Sequence, residues 1–372
     1  MNRLPRSNAG RNGSAGFGLI ELMVAMTIAL ILSAATLGLY LNMSRSNSEL
    51  AKTNSQMEHG RLAIRLLRDD LVHAGFLNGY LPEFDDLTAA GAPSDYPSAI
   101  PAPCAPYSAW DAQYKTNLIG VPLQLYAAVP TDCASTMPSA LAGSDVLLVR
   151  HVAGCVTGSA NCDVDVNGRL YWQTSYCASE PRYVFDTSGF TLHRRNCTAA
   201  AEKRRFLNTA YYIRNFAVTA GDGIPTLMQS SFDLAGGALE QQDPVPMVEG
   251  VEAMRFVLGI DNLSDTGAAV DYSQAVQWAS ALNRNSPTNR GDGAPDSTCT
   301  SATPCSLAQL TNTVVVQVHL LVRNIEPTPG YQSSKTYNLG GQTFGPFSDA
   351  FQRHVYSTTV RLTNVSARRE TP

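Results

Sequence analysis

"GFGLIELMVAMTIALILSAATLGLYL" occupies residues 16–41. As a helix, its apolar run of about 25 residues would extend roughly 37 Å, long enough to span a bilayer. It carries one acid, Glu21, and no base. A charge near the centre of a membrane helix costs about 2.5–3.5 kcal/mol even on lenient scales. A carboxylate kept there calls for a partner outside the segment. The residues before it hold Arg3, Arg6 and Arg11 and no acid. That bias predicts a cytoplasmic N-terminus and an outward-facing C-terminus. A secretory signal would end in a small-residue cleavage site beyond its apolar region. Here the apolar run passes directly into a second helical pattern.

From Asn42 to Phe76 the chain is polar and free of proline. Leu50, Met57, Ile64, Leu67 and Leu71 recur at helical spacing and predict one apolar stripe. Gly75 is a natural stop after Ala74. The whole helix, from Phe17 to Ala74, would have about 58 residues and measure roughly 87 Å. Gly38 is expected to loosen it locally. His59 and His73 read as solvated residues of its polar face.

The chain has 372 residues, 16% of them charged, and a formal net charge of −4. Without the basic leader the balance falls to −7. Neither value suits a non-specific nucleic-acid binder, which should be basic. Eight cysteines lie beyond the apolar segment: Cys104, Cys133, Cys155, Cys162, Cys177, Cys197, Cys299 and Cys305. An even count there reads as disulfides in an oxidising compartment, with 105 possible connectivities. Pairing of sequence neighbours is the expectation. A zinc site is the competing reading, but no C-x-x-C pair exists and the histidines do not cluster with the cysteines.

Residues 76–143 are rich in Pro, Ala, Asp and Ser and read as a long surface excursion, not a second core. Strands are expected at 145–151, 169–176, 182–186, 206–216, 225–233, 251–260, 313–324 and 354–363, each bounded by turn residues. In the last but one, Val314, Val316, Val318 and Leu320 share a face, which leaves His319 on the half-buried other face. "YSQAVQWASALN", residues 272–283, reads as a short amphipathic helix. A long helix followed by antiparallel strands is an α+β arrangement, with the helix stripe laid on one sheet face.

No H-E-x-x-H, G-x-S-x-G, P-loop or dinucleotide fingerprint occurs. His151, His193 and His354 have no catalytic partner nearby in sequence. "DVDVNG", Asp163 to Gly168, matches the opening of a calcium loop, but Thr174 stands where the closing Glu belongs. A turn with Asx chemistry is the plainer reading. "RGD" at 290–292 invites an integrin reading, against chance co-occurrence of three common loop residues. No enzymatic activity, metal or cofactor is expected.

The sequence from Gly16 to Ala25 resembles the type IV prepilin signature. Further landmarks resemble the PilW family of minor pilins: "HGRLAIRLLRDDLVHAGF", "DVLLVRH", "YYIRN", "MVEGVEAMRFVLGIDN", "VVVQVHLLVRN" and "STTVRLTN". The last departs from the family pattern, where a more basic end than Thr363-Asn364 is expected. The resemblance implies a pilin-like fold with long disulfide-tied loops. It implies cleavage by a prepilin peptidase after Gly16, methylation of Phe17 as the new N-terminus, and Glu21 as the assembly carboxylate. The implied organisation is a leader (1–16), a membrane and filament-core helix (17–41), its amphipathic continuation (42–75) and a β-rich periplasmic or extracellular domain (76–372). The implied function is a minor pilin helping to initiate or cap a type IV pilus, first in the inner membrane and then at the cell surface. Its implied partners are other minor pilins, the major pilin and a tip adhesin, with no direct contact to nucleic acid. A minor pseudopilin of type II secretion and a membrane-anchored binding protein or adhesin are the alternatives.

Overall fold

The computed structural model describes Gly16 and residues 18–370. The chain divides into two compact units, residues 1–53 and 54–372. Helix α1 (Leu19–His73) starts in the first and ends in the second. Within the first unit, every described residue up to Ser48 is exposed, including Leu19, Ile20, Leu30 and Leu39. α1 is long and apolar enough near its start to cross a membrane. It passes through Gly38 without a break, contrary to the loosening expected there. One glycine costs about 1 kcal/mol in a helix, too little to interrupt one this long.

In the second unit, an α+β body packs against one face of the last turns of α1. The first sheet holds β1 (Leu123–Tyr126), β2 (Val146–Val152), β3 (Tyr171–Thr174), β4 (Tyr183–Asp186), β5 (Lys203–Arg214), β6 (Thr226–Ala235), β7 (Ala238–Gln241) and β8 (Val245–Glu249). Its order is β1-β2-β5-β3-β4, with β6 also on β5 and carrying β7 and β8. The second sheet uses β9 (Val251–Ile260), β10 (Ser297–Thr300) and β11 (Thr313–Arg323). A separate hairpin, β12 (Tyr337–Leu339) and β13 (Gln342–Phe344), precedes its last strand, β14 (Arg353–Arg361). The order is β10-β9-β11-β14, and every pairing in all three sheets is antiparallel. Val314, Val316, Val318 and Leu320 are fully buried on one face of β11, and His319 is half-buried on the other.

The apolar core joins Ala63, Leu67 and Leu71 of α1 to Met254, Phe256 and Leu258 of β9, the β11 valines, and Leu147 and Val149 of β2. The stripe differs from the one expected. Leu50 and Met57 are exposed, and the buried positions are Gln56, Gly60, Ala63, Leu67 and Leu71. Close approach explains this. Gly60 lies under the Tyr356 ring, and Gln56 donates its amide to the carbonyls of Val322 and Gln352 at 2.7 and 3.0 Å.

Two further expectations are corrected. Residues 76–143 are more than a surface excursion. They form α2 (Ala112–Gly120), capped by Asp111 on the Tyr114 amide at 2.7 Å, and strand β1. They also give Leu77, Tyr80, Leu118 and Ile119 to a second core cluster with Trp172, Phe185, Phe206 and Phe232. Residues 272–283 are not helical. Carbonyls a helix would use internally are taken by side chains: Arg290 donates to Asp271 and Gln274, and Asn289 to Ala275 at 2.9 Å.

The chain end locks this body. Arg369, 2% exposed, bonds Asp85 at 3.1 Å, Asp261 at 3.3 Å and Asn312 at 2.8 Å. Arg368 donates to the Gly75 carbonyl and sits 3.6 Å from Asp85. Both arginines lie just past a short helix, Thr363–Ser366. Four disulfides fasten the loops: Cys104–Cys133, Cys155–Cys162, Cys177–Cys197 and Cys299–Cys305.

Candidate functional site

Helix α1 begins at Leu19, so Gly18 is its N-cap and Glu21 its third residue. Glu21 Oε2 accepts the Gly18 amide at 3.0 Å. This is the reverse half of a capping box, in which the N3 acid satisfies the N-cap N–H. The Gly18 carbonyl accepts from Leu22 N at 3.1 Å, closing the first turn. A negative charge there is also favoured by the helix dipole. The carboxylate therefore has a local role that its sequence position alone did not disclose. Glycine at 16 and 18 leaves the approach open: a Cβ at Gly16 would meet nothing within 4 Å, and one at Gly18 only Glu21 Oε2 at 3.7 Å. Phe17 and residues 1–15, which include the basic leader, lie outside the described residues.

The remaining chemical candidates are absorbed by the fold. His151 Nε2 lies 2.8 Å from Asp70 Oδ1, and its Nδ1 lies 3.0 Å from the Val152 carbonyl. The Asp70 contact ties β2 to α1. His193 Nδ1 meets Glu180 at 2.6 Å. The Ser175 hydroxyl donates to Glu180 at 2.8 Å and not to the ring, so the three do not form a nucleophile–base pair. Hydrogen bonds from His193 hold the Glu180 carboxyl below its usual range. His354 packs edge-on to Tyr356 at 4.8 Å. His59 is half-buried and His73 exposed.

Asp163 and Asp165 of the calcium-like stretch face Arg205 at 3.3 Å and Lys203 at 2.6 Å. Among the described residues, no group of three or more His, Cys, Asp or Glu side chains is placed to hold a metal. The RGD reading is overturned: Arg290 is 3% exposed and spends its guanidinium on backbone carbonyls.

Comparison with known proteins bears on both ends of the chain. The family described as Type IV Pilus-assembly protein W matches residues 210–364. The prokaryotic N-terminal methylation motif matches residues 11–37. Among solved structures, a type IV-like pilin from Thermus thermophilus aligns at 14% identity over 83% of this chain and 97% of that one, with a TM-score of 0.31. No curated protein sequence matches.

Proposed function

Because this chain belongs to the PilW family of type IV pilus-assembly proteins, we propose that it is a minor pilin that helps to initiate a type IV pilus or forms part of its tip. Its leader would be removed after Gly16 by a prepilin peptidase. The apolar start of α1 would hold it in the inner membrane until assembly, with residues 76–372 on the periplasmic side. The α+β pilin-like fold is a structural scaffold, and its work would be association with other minor pilins and the major pilin.

The observation that carries this reading is the placement of Glu21. It is the one acid in the exposed apolar stretch of residues 16–41, in the first turn, three residues from the amide it caps. Hydrolysis of the Gly16–Phe17 peptide bond would create an α-amine next to Gly18. Among the described residues only one oxygen of Glu21 is engaged, by the Gly18 amide. The second oxygen is then available to the Phe17 amine of a neighbouring subunit. Removing one member of an ion pair in an apolar place costs about 3–5 kcal/mol. The pair would thus fix the register between adjacent helices.

Two substitutions separate capping from charge. Glu21→Gln keeps an acceptor for Gly18 and loses the charge, whereas Glu21→Ala loses both. Both variants should insert in the membrane and fail to enter filaments sheared from cells. Incorporation of Glu21→Gln at the unaltered level would contradict the ionic role. Incorporation of Glu21→Ala as well would contradict any assembly role for this side chain.

A further inference from the structure

Two asparagine–glycine pairs lie among the described residues, Asn78–Gly79 and Asn167–Gly168. Such a pair can react with itself. The glycine amide nitrogen attacks the asparagine side-chain carbonyl and closes a five-membered succinimide ring. Glycine permits this best, because no Cβ crowds the attacking nitrogen. The fold then decides which pair reacts, through the freedom of the peptide group between the two residues and the reach of water.

The Asn167–Gly168 peptide group is free. Its tight turn is closed by one backbone bond, from Arg169 N to the Val166 carbonyl at 3.2 Å, with Gly168 at φ +83°. Among the described residues, neither the Asn167 carbonyl nor the Gly168 N–H has a hydrogen-bond partner, and the Asn167 carboxamide has none either. Asn167 is exposed, and a Cβ on Gly168 would meet only Leu234 Cδ2 at 3.7 Å. Both residues line an open cleft of about 590 Å³ with Tyr107 and Leu239, which admits water.

The Asn78–Gly79 peptide group is held. The Tyr176 hydroxyl donates to the Asn78 carbonyl at 3.0 Å, and a Cβ on Gly79 would come within 2.1 Å of the same hydroxyl oxygen. That carbonyl belongs to the peptide group that must turn before its nitrogen can reach the side chain. The flanking residues Leu77 and Tyr80 are buried and resist the turn as well.

We infer that Asn167 is a self-modifying site, converted to aspartate and isoaspartate without an enzyme, while Tyr176 protects Asn78 in the same chain. Gly168 N bonds to Asn167 Cγ, the Cγ–Nδ2 bond breaks, and the amide proton leaves with Nδ2 as ammonia. Water then opens the ring. Opening at Cγ leaves aspartate. Opening at the backbone carbonyl leaves isoaspartate, whose main chain runs through Cβ and Cγ. Either product adds a carboxylate to a stretch whose Asp163 and Asp165 already face Arg205 and Lys203. The modified fraction rises with the time since the chain folded. This chemistry does not depend on the assembly reading.

Mass spectrometry of the full-length, detergent-purified chain held in mildly alkaline buffer tests the inference. In the folded chain, Asn167 should gain the mass of water less that of ammonia at least tenfold faster than Asn78 does. Reduced and unfolded in denaturant, the two sites should react at similar rates. Equal rates in the folded chain, or a faster change at Asn78, overturn the inference. The same tenfold ratio in both states traces the difference to sequence and overturns the role of the fold. Tyr176→Phe removes the bond to the Asn78 carbonyl and should accelerate the change at Asn78 alone; an unaltered rate there overturns the protection assigned to Tyr176. Asn167→Gln should abolish the gain in the tryptic peptide ending at Arg169, and a gain that persists overturns the assignment to Asn167.

Discussion

A Cβ placed on Gly60 would come within 2.3 Å of the Tyr356 ring, so the helix and the last strand meet where the helix has no side chain. Gly60→Ala tests this contact. Alanine favours a helix over glycine by about 1 kcal/mol, while overpacking costs about 1–3 kcal/mol. The variant should be net destabilised in denaturant unfolding, and Tyr356→Leu should restore part of the loss. A more stable Gly60→Ala protein would show that the ring yields freely and that the contact does not set helix position.

Arg369 joins two buried carboxylates that are far apart in sequence, Asp85 and Asp261. Arg369→Met keeps much of the volume, leaves Asp85 only the longer Arg368 contact, and leaves Asp261 with backbone amides and no cation among the described residues. The expected cost is about 3–5 kcal/mol, as for other broken buried pairs. Unfolding midpoints of Arg369→Met and of an Asp85→Asn, Asp261→Asn, Arg369→Met triple variant give the check. The triple variant should recover stability relative to the single one, and a single variant within 1 kcal/mol of the parent would remove the lock from the account.

Asp222 accepts the amides of Ala217, Val218, Thr219 and Ile224. Those bonds pull its carboxyl down to about 2, from an ordinary value near 4. A depressed folded value means stability that is present above about pH 4 and lost as pH falls toward about 2. Amide exchange in residues 217–224 should therefore accelerate over that window and not above it. Asp222→Asn should exchange faster at neutral pH and show no such acid step. An acid step of the same size in the variant would assign the transition elsewhere.

Much of this architecture is legible in the sequence where the signal is local. β2, β9 and β11 are dense in Val, Leu and Phe, and the long helix follows from apolar residues without proline. Of the four-residue strands, β3 and β4 fall within expected ranges, while β1 and β7 escape because "LQLY" and "ALEQ" carry little periodicity. The helix stripe misleads because residues that pack closely can be small or polar: Gln56, Gly60 and Ala63 are buried while Leu50 and Met57 are not. Residues 272–283 have a helical pattern, but Asn289 and Arg290 claim their carbonyls from later in the chain. The Asp85–Arg369 pair has no local signature, since 284 residues separate its members. At the helix start, the sequence points to Glu21 but not to its capping of Gly18, a bond that depends on where the helix begins.

On the proposed reading, the chain matures by losing its leader and exposing an amine beside the Glu21 carboxylate. Mass spectrometry of the N-terminal peptide, from protein isolated from its producing cells, tests it most directly. The expected peptide begins at Phe17 with a methyl group on its amine. A peptide that retains Arg3, Arg6 and Arg11 ahead of Gly16 would contradict it.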